Sequence, residues 1–136
     1  MASFGVTTIK KVFLYKFKFH IIHLITGSFI VFVFKNELKV KSIRLLSGGE
    51  NHPQDIMPPN SEISLAKTGV KFPARNIFPD EYFHTVGLVG ADGQFEKTIN
   101  EAHDLTDKTH ALKIKISSET AYWIWIYNIY IETFAD

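Results

Sequence analysis

Three places in the chain hold residue types able to do chemistry. Glu101, His103, Asp104 and Asp107 bring three carboxylates and an imidazole into one short stretch. Oxygen and nitrogen donors of this kind suit a divalent cation. Acidic loops with a single histidine are common, however, and no metal site is assigned to them. His20 and His23 lie three apart, which on a strand sends them to opposite faces and makes them poor partners for one metal. His52, with Pro53 and Asp55 after it, reads as a loop feature without specific meaning. The chain has no phosphate loop, dinucleotide fingerprint or nucleophile elbow. No two carboxylates can be given acid and base roles from spacing. It also has no cysteine, which removes thiolate ligands, disulfides and cysteine nucleophiles together. The expectation is a protein with no cofactor and no catalytic role.

Binding chemistry is better represented. The run AYWIWIYNIYIE, residues 121–132, packs two Trp, three Tyr and four Ile into twelve positions. Trp and Tyr join an apolar ring to a polar tip, a combination suited to lipid headgroups and to sugars. Trp123 and Trp125, with Tyr122 and Tyr130 at the strand ends, are therefore the candidate aromatic contacts. Lys39, Lys41, Lys113 and Lys115 sit in strands that alternate basic with apolar residues and are the candidate basic contacts. Phe72, Phe78, Tyr82 and Phe83 lie in or beside the proline-rich middle, where they would form an exposed rim or plugs under the loops.

The elements that must carry these residues are strands. Ile, Trp and Tyr favour a pleated sheet. Strict alternation puts Trp123, Trp125, Tyr127, Ile129 and Ile131 on one face of the last strand. Ile124, Ile126, Asn128 and Tyr130 take the other. Neither face is polar before Glu132, so this strand is expected in the centre of the fold, covered on both sides, with Trp125 largely buried. Residues 12–34 hold a charge-free run from Phe19 to Phe34, about 24 Å long as a helix and short of a bilayer core near 30 Å. The alternation in YKFKFH and the Thr26-Gly27-Ser28 turn signal point instead to a β-hairpin. A membrane-inserted segment over 12–34 is the alternative.

LKVKSIRLL supplies a further strand ending at Ser47-Gly48-Gly49. All five prolines fall between residues 53 and 79, which makes the middle loop-rich, with SEISLAKTG as its one strand. YFHTVGLVG and QFEKTI read as a hairpin about Ala91-Asp92-Gly93. NEAHDLTDKTH suits one helical turn capped by Asn100. ALKIKIS sends Lys113 and Lys115 outward. The sum is a single all-β domain over 1–136, an antiparallel β-sandwich of about seven to nine short strands with a proline-rich loop region in the middle.

Charge is unevenly spread. Residues 1–50 hold eight basic against two acidic residues, a net of +6, and residues 51–136 hold seven against twelve, a net of −5. The basic part alternates with apolar residues, as strands do, so no nucleic-acid partner is expected. Absence of cysteine and of an Asn-x-Ser/Thr sequon favours a cytosolic setting, with peripheral membrane association compatible.

The stretch from IMPPNSEISLAKTG through TVGLVGADGQFEKTI to DKTHALKIKISSETAYWIWIY resembles the aegerolysins, small β-sandwich proteins of about this length. In place of that family's Trp-Asp-Cys-Pro-Trp run this chain has INEAHD, and LLSGGE stands where the family has Trp-Gly-Lys. Trp123 and Trp125 match a family Trp region. The resemblance implies a non-enzymatic protein that binds membrane lipid, often sphingolipid-containing, in some cases with a larger pore-forming protein as partner. The leading expectation is thus a binding protein at a lipid membrane surface, using aromatic insertion and attraction of basic strands to anionic lipid. A lectin-like carbohydrate-binding module is the second.

Overall fold

The structure is a computed structural model that describes residues 11–15 (as backbone), 28–72, 78–99, 108–118 and 124–133. Eight strands occur among them: β1 (Lys11–Tyr15), β2 (Phe29–Leu38), β3 (Val40–Ser47), β4 (Glu62–Ala66), β5 (Phe83–Leu88), β6 (Phe95–Thr98), β7 (Thr109–Lys115) and β8 (Ile126–Thr133). A single 3₁₀ turn, Asp80–Tyr82, precedes β5. Every pairing is antiparallel. The front sheet runs β1-β8-β3-β6 and the back sheet β2-β7-β4-β5. Ile43, Leu45, Ile129 and Ile131 from the front sheet meet Phe32, Ile63, Leu65, Leu112 and Ile114 from the back sheet in one core. This is an antiparallel β-sandwich.

The last strand is central, between β1 and β3, as its composition requires. Its two faces are not as strict alternation has them. Ile124 and Ile126 are buried, and so are Ile129, Ile131 and Thr133. The phase changes because Ser47 pairs with Ile126 while Leu46 pairs with Asn128, leaving Tyr127 as an extra residue. A bulge of one residue moves every later side chain to the opposite face. All four isoleucines therefore point into the core, and Trp125, Asn128, Tyr130 and Glu132 are half-buried rather than covered. A second bulge, at Lys41 between the Val40–Thr133 and Ser42–Glu132 pairs, resets β3 so that Ile43, Leu45 and Ser47 face inward.

The expected N-terminal hairpin is corrected in one respect. β1 pairs with β8 in the front sheet and β2 with β7 in the back sheet, so these two strands are not hairpin partners. Residues 16–27, with most of YKFKFH and the turn at Thr26-Gly27, lie outside the described residues, as do His20 and His23. A membrane helix through Phe34 is ruled out, since Phe29–Leu38 is strand. No helix among the described residues is long and apolar enough to cross a membrane.

The chain does turn at Ala91-Asp92-Gly93. The Asp92 carboxylate accepts from Gln94 N at 3.0 Å, and Gly93 N donates to Gly90 O at 3.0 Å. Gly93 has φ +79°, and a side chain there would run into Ile56. The flanking strands nevertheless pair elsewhere, β5 with β4 and β6 with β3. The turn carries the chain from one sheet to the other. The helical turn expected after Asn100 falls outside the described residues, and so does the Glu101, His103, Asp104 and Asp107 cluster.

Candidate functional site

A cleft of about 310 Å³ opens at the end of the front sheet, lined by Gly48, Gly49, Glu50, Asn51, His52, Trp125 and Tyr127. Its construction begins with two glycines. Gly48 (φ +74°) and Gly49 (φ +110°) adopt conformations that L side chains resist, and they turn the chain sharply off β3. The loop that follows closes on itself through His52 N to Gly49 O (3.1 Å) and Asp55 N to His52 O (3.0 Å). It then grips the segment leading into β8 from both sides. Gly48 N donates to Trp125 O and Trp125 N donates to Asp55 O, each at 2.8 Å.

These bonds set the side chains. The His52 ring stacks on Trp125 with centroids 3.6 Å apart and planes 28° apart. His52 Nδ1 lies 3.1 Å from Asp55 Oδ2, which fixes the orientation of the imidazole within the stack. Tyr127 is presented beside Gly49 by the same bulge that redirects β8. The result is a group of aromatic rings in a cleft that Glu50 and Asn51 also line. Among the described lining residues there is no Lys or Arg.

Beneath the cleft, Ser47 joins three segments. Its buried Oγ donates to Gly93 O (2.6 Å) and accepts from Met57 N (2.8 Å). Its backbone exchanges two bonds with the Gln94 amide, Ser47 N to Oε1 at 2.7 Å and Nε2 to Ser47 O at 2.8 Å. The loop carrying His52 is thereby tied to the turn between sheets.

The residues expected to act together are dispersed. Trp125 lies in the cleft, half-buried rather than largely buried. Tyr130 instead borders a shallow groove on the outer face of the front sheet. There the Arg44 guanidinium lies 5.8 Å from its ring centre and pairs with Glu96 at 3.2 Å. Tyr122 and Trp123 lie outside the described residues. Lys39, in the link from β2 to β3, and Lys41, in β3, flank Val40, half-buried and each engaged with neighbouring groups.

Lys113 and Lys115 do turn away from the core, but they form no open basic face. Lys113 is 3% exposed, and its ammonium donates to Phe78 O and to Asp80 Oδ1, both at 2.8 Å. Lys115 donates to the other Asp80 oxygen at 2.7 Å. Those two bonds, from Lys113 first, lower the Asp80 carboxyl from 3.8 to about 2, and the bond to Asp80 raises Lys115. Of the middle aromatics, Phe72, Phe78 and Phe83 are plugs packed over the back sheet, and Tyr82 stays exposed.

Sequence reasoning missed His52, set aside as a loop feature. Its signal was indirect. A Gly-Gly pair ending β3 forces a tight loop, and the end of β8 lies next to β3 only once the pairing is known. No protein-family model matches the chain, and no curated protein matches it.

Proposed function

We propose that the chain is a non-catalytic binding protein acting at a lipid membrane surface, with the cleft at the end of the front sheet taking a sugar-bearing headgroup. One observation carries this reading: the ring stack of His52 on Trp125, with Tyr127 beside it, faces a cleft that also holds Glu50 and Asn51. Aromatic rings offer an apolar platform to the C–H face of a sugar, and carboxylate and amide groups hydrogen-bond its hydroxyls. The cleft lies at the small end of the usual range for ligand sites, about 300–1,000 Å³, which fits one headgroup rather than a long chain. A cleft with a carboxylate and no described cation disfavours an anionic headgroup at this position. The resemblance to the aegerolysins supports the membrane setting and adds a larger pore-forming protein as a proposed partner.

The same sugar chemistry is available from a soluble glycan, which would make the chain a lectin-like module. Vesicles of phosphatidylcholine with and without a neutral glycolipid, read by co-sedimentation, test the membrane arm, and a glycan array tests the soluble arm. Wild-type protein should sediment with glycolipid vesicles. His52→Ala and Trp125→Ala should each weaken this by about tenfold or more, the scale of about 1.4 kcal/mol. Glycan-array binding without vesicle binding would select the lectin-like form. Vesicle binding that both variants leave unchanged would remove the cleft from the function.

A further inference from the structure

The back sheet carries a second polar pocket, of about 160 Å³, lined by Glu62, Ser64, Asp80, Thr85, Lys113 and Lys115 together with Phe83. We propose that this pocket is a seat for an oxyanion, a phosphate group above all, and that Asp80 is a built-in occupant which such a ligand displaces.

The cations and the carboxylate that joins them are held in different ways. Lys113 belongs to β7, in the middle of the back sheet, and is 3% exposed. Its ammonium has contacts besides Asp80: Phe78 O at 2.8 Å, two residues earlier on the same segment, and the rings of Phe29 in β2 and Phe83 in β5 at 4.6 and 4.9 Å. Ring faces attract a cation, so the two rings, both carried by sheet strands, favour the charge there without the carboxylate. Lys115 stands two residues on along the same face of the strand. Asp80 differs on every count. It is 65% exposed and sits in a three-residue 3₁₀ turn outside the sheet.

Asp80 also binds as a phosphate would, one oxygen to each lysine, at 2.8 and 2.7 Å. Charge-assisted bonds of this kind are the usual means of holding phosphate. Ser64 and Thr85, whose hydroxyls lie 3.3 Å apart, line the same pocket and add neutral donors. With Asp80 in place the two lysines face two carboxylates, Asp80 and Glu62. With Asp80 withdrawn they face Glu62 alone, and the pocket gains one positive charge for the incoming anion. The ligand is a phosphate oxyanion, either free or at the surface of a lipid bilayer.

Restoration of stability by added anion separates this from a carboxylate that merely neutralises Lys113. Asp80→Ala and Asp80→Asn are melted in increasing inorganic phosphate, with chloride controls at matched ionic strength. Both variants should melt below wild type and recover with phosphate. Half-recovery should come at about a tenfold lower phosphate concentration than any shift of wild type, as expected when a competitor worth about 1.4 kcal/mol is removed. Should Asp80→Ala fail to fold, Asp80→Asn retains the side-chain volume and one accepting oxygen and gives the same reading. Adding Lys115→Gln to Asp80→Asn should abolish the recovery. Binding of Asp80→Asn to phosphatidic acid vesicles beyond that of wild type identifies lipid phosphate as the source, and recovery without vesicle binding identifies the free anion. Equal phosphate response in wild type and both variants, or none in any, overturns the proposal.

Discussion

Ser47 shows how much one hydroxyl can decide. It is fully buried, donates to Gly93 O and accepts from Met57 N, so its removal leaves two backbone groups without a partner. An unsatisfied buried group costs about 1–3 kcal/mol. Ser47→Ala is expected to lower unfolding free energy by about 2–4 kcal/mol, read by urea denaturation. A loss below about 0.5 kcal/mol, the scale of an ordinary surface change, would mean that the two groups find other partners. Asp80 makes a prediction in pH. A carboxyl lowered from 3.8 to about 2 contributes stability above its unfolded value and loses it as pH falls through the folded one. Lys115, raised, keeps its contribution below 10.5 and loses it as pH climbs beyond. Melting temperature should therefore decline between about pH 4 and pH 2 more steeply in wild type than in Asp80→Asn, and parallel curves would contradict this.

At the scale of the element, β8 was legible in type and place but not in phase. Its Ile and aromatic content marked a central strand, and a central strand is found. The spacing Ile-x-Ile-x-x-Ile-x-Ile also recorded the bulge at Tyr127, because a four-isoleucine set reaches one face only if a residue is inserted between its halves. Strict alternation hid that signal. The basic strands failed for a different reason. Alternation correctly turned Lys113 away from the core, but nothing in β7 foretold that Phe78, Asp80 and Phe83 would cover it. Ile126 tests the phase. It is fully buried opposite Ser47, so Ile126→Ala should cost about 2–5 kcal/mol in chemical denaturation. Tyr130→Ala, on the half-buried outer face, should cost less than Ile126→Ala. The reverse order would place the bulge wrongly.

For the whole molecule, the sequence announced a sandwich by the number and shortness of its strands, and it concealed the wiring. Turn signals such as Ala91-Asp92-Gly93 are local and report that the chain reverses, whereas pairing depends on which strand lies alongside, often far away in sequence. Lys11 pairs with Thr133, and Phe29 with Lys115. Of the seven connections between successive described strands, only β4 to β5 joins neighbours within one sheet, and the other six pass between sheets. The cleft inherits this non-locality, since His52 and Trp125 meet only after β3 and β8 have paired. Such a topology has a kinetic consequence. Loop closure must be met before distant strands reward it, and all-β folds of high contact order refold in about milliseconds to seconds. Stopped-flow refolding followed by Trp fluorescence should show a main phase in that window, and the cleft should form with it rather than before. The Trp125–His52 stack provides the reading, because His52→Ala removes the partner ring while leaving the strand pairing intact. Wild type and His52→Ala should differ in final fluorescence but share the main rate within about twofold, as expected for a contact formed after the transition state. A refolding phase in microseconds, or a large slowing in His52→Ala, would show that the loop and its stack nucleate the fold.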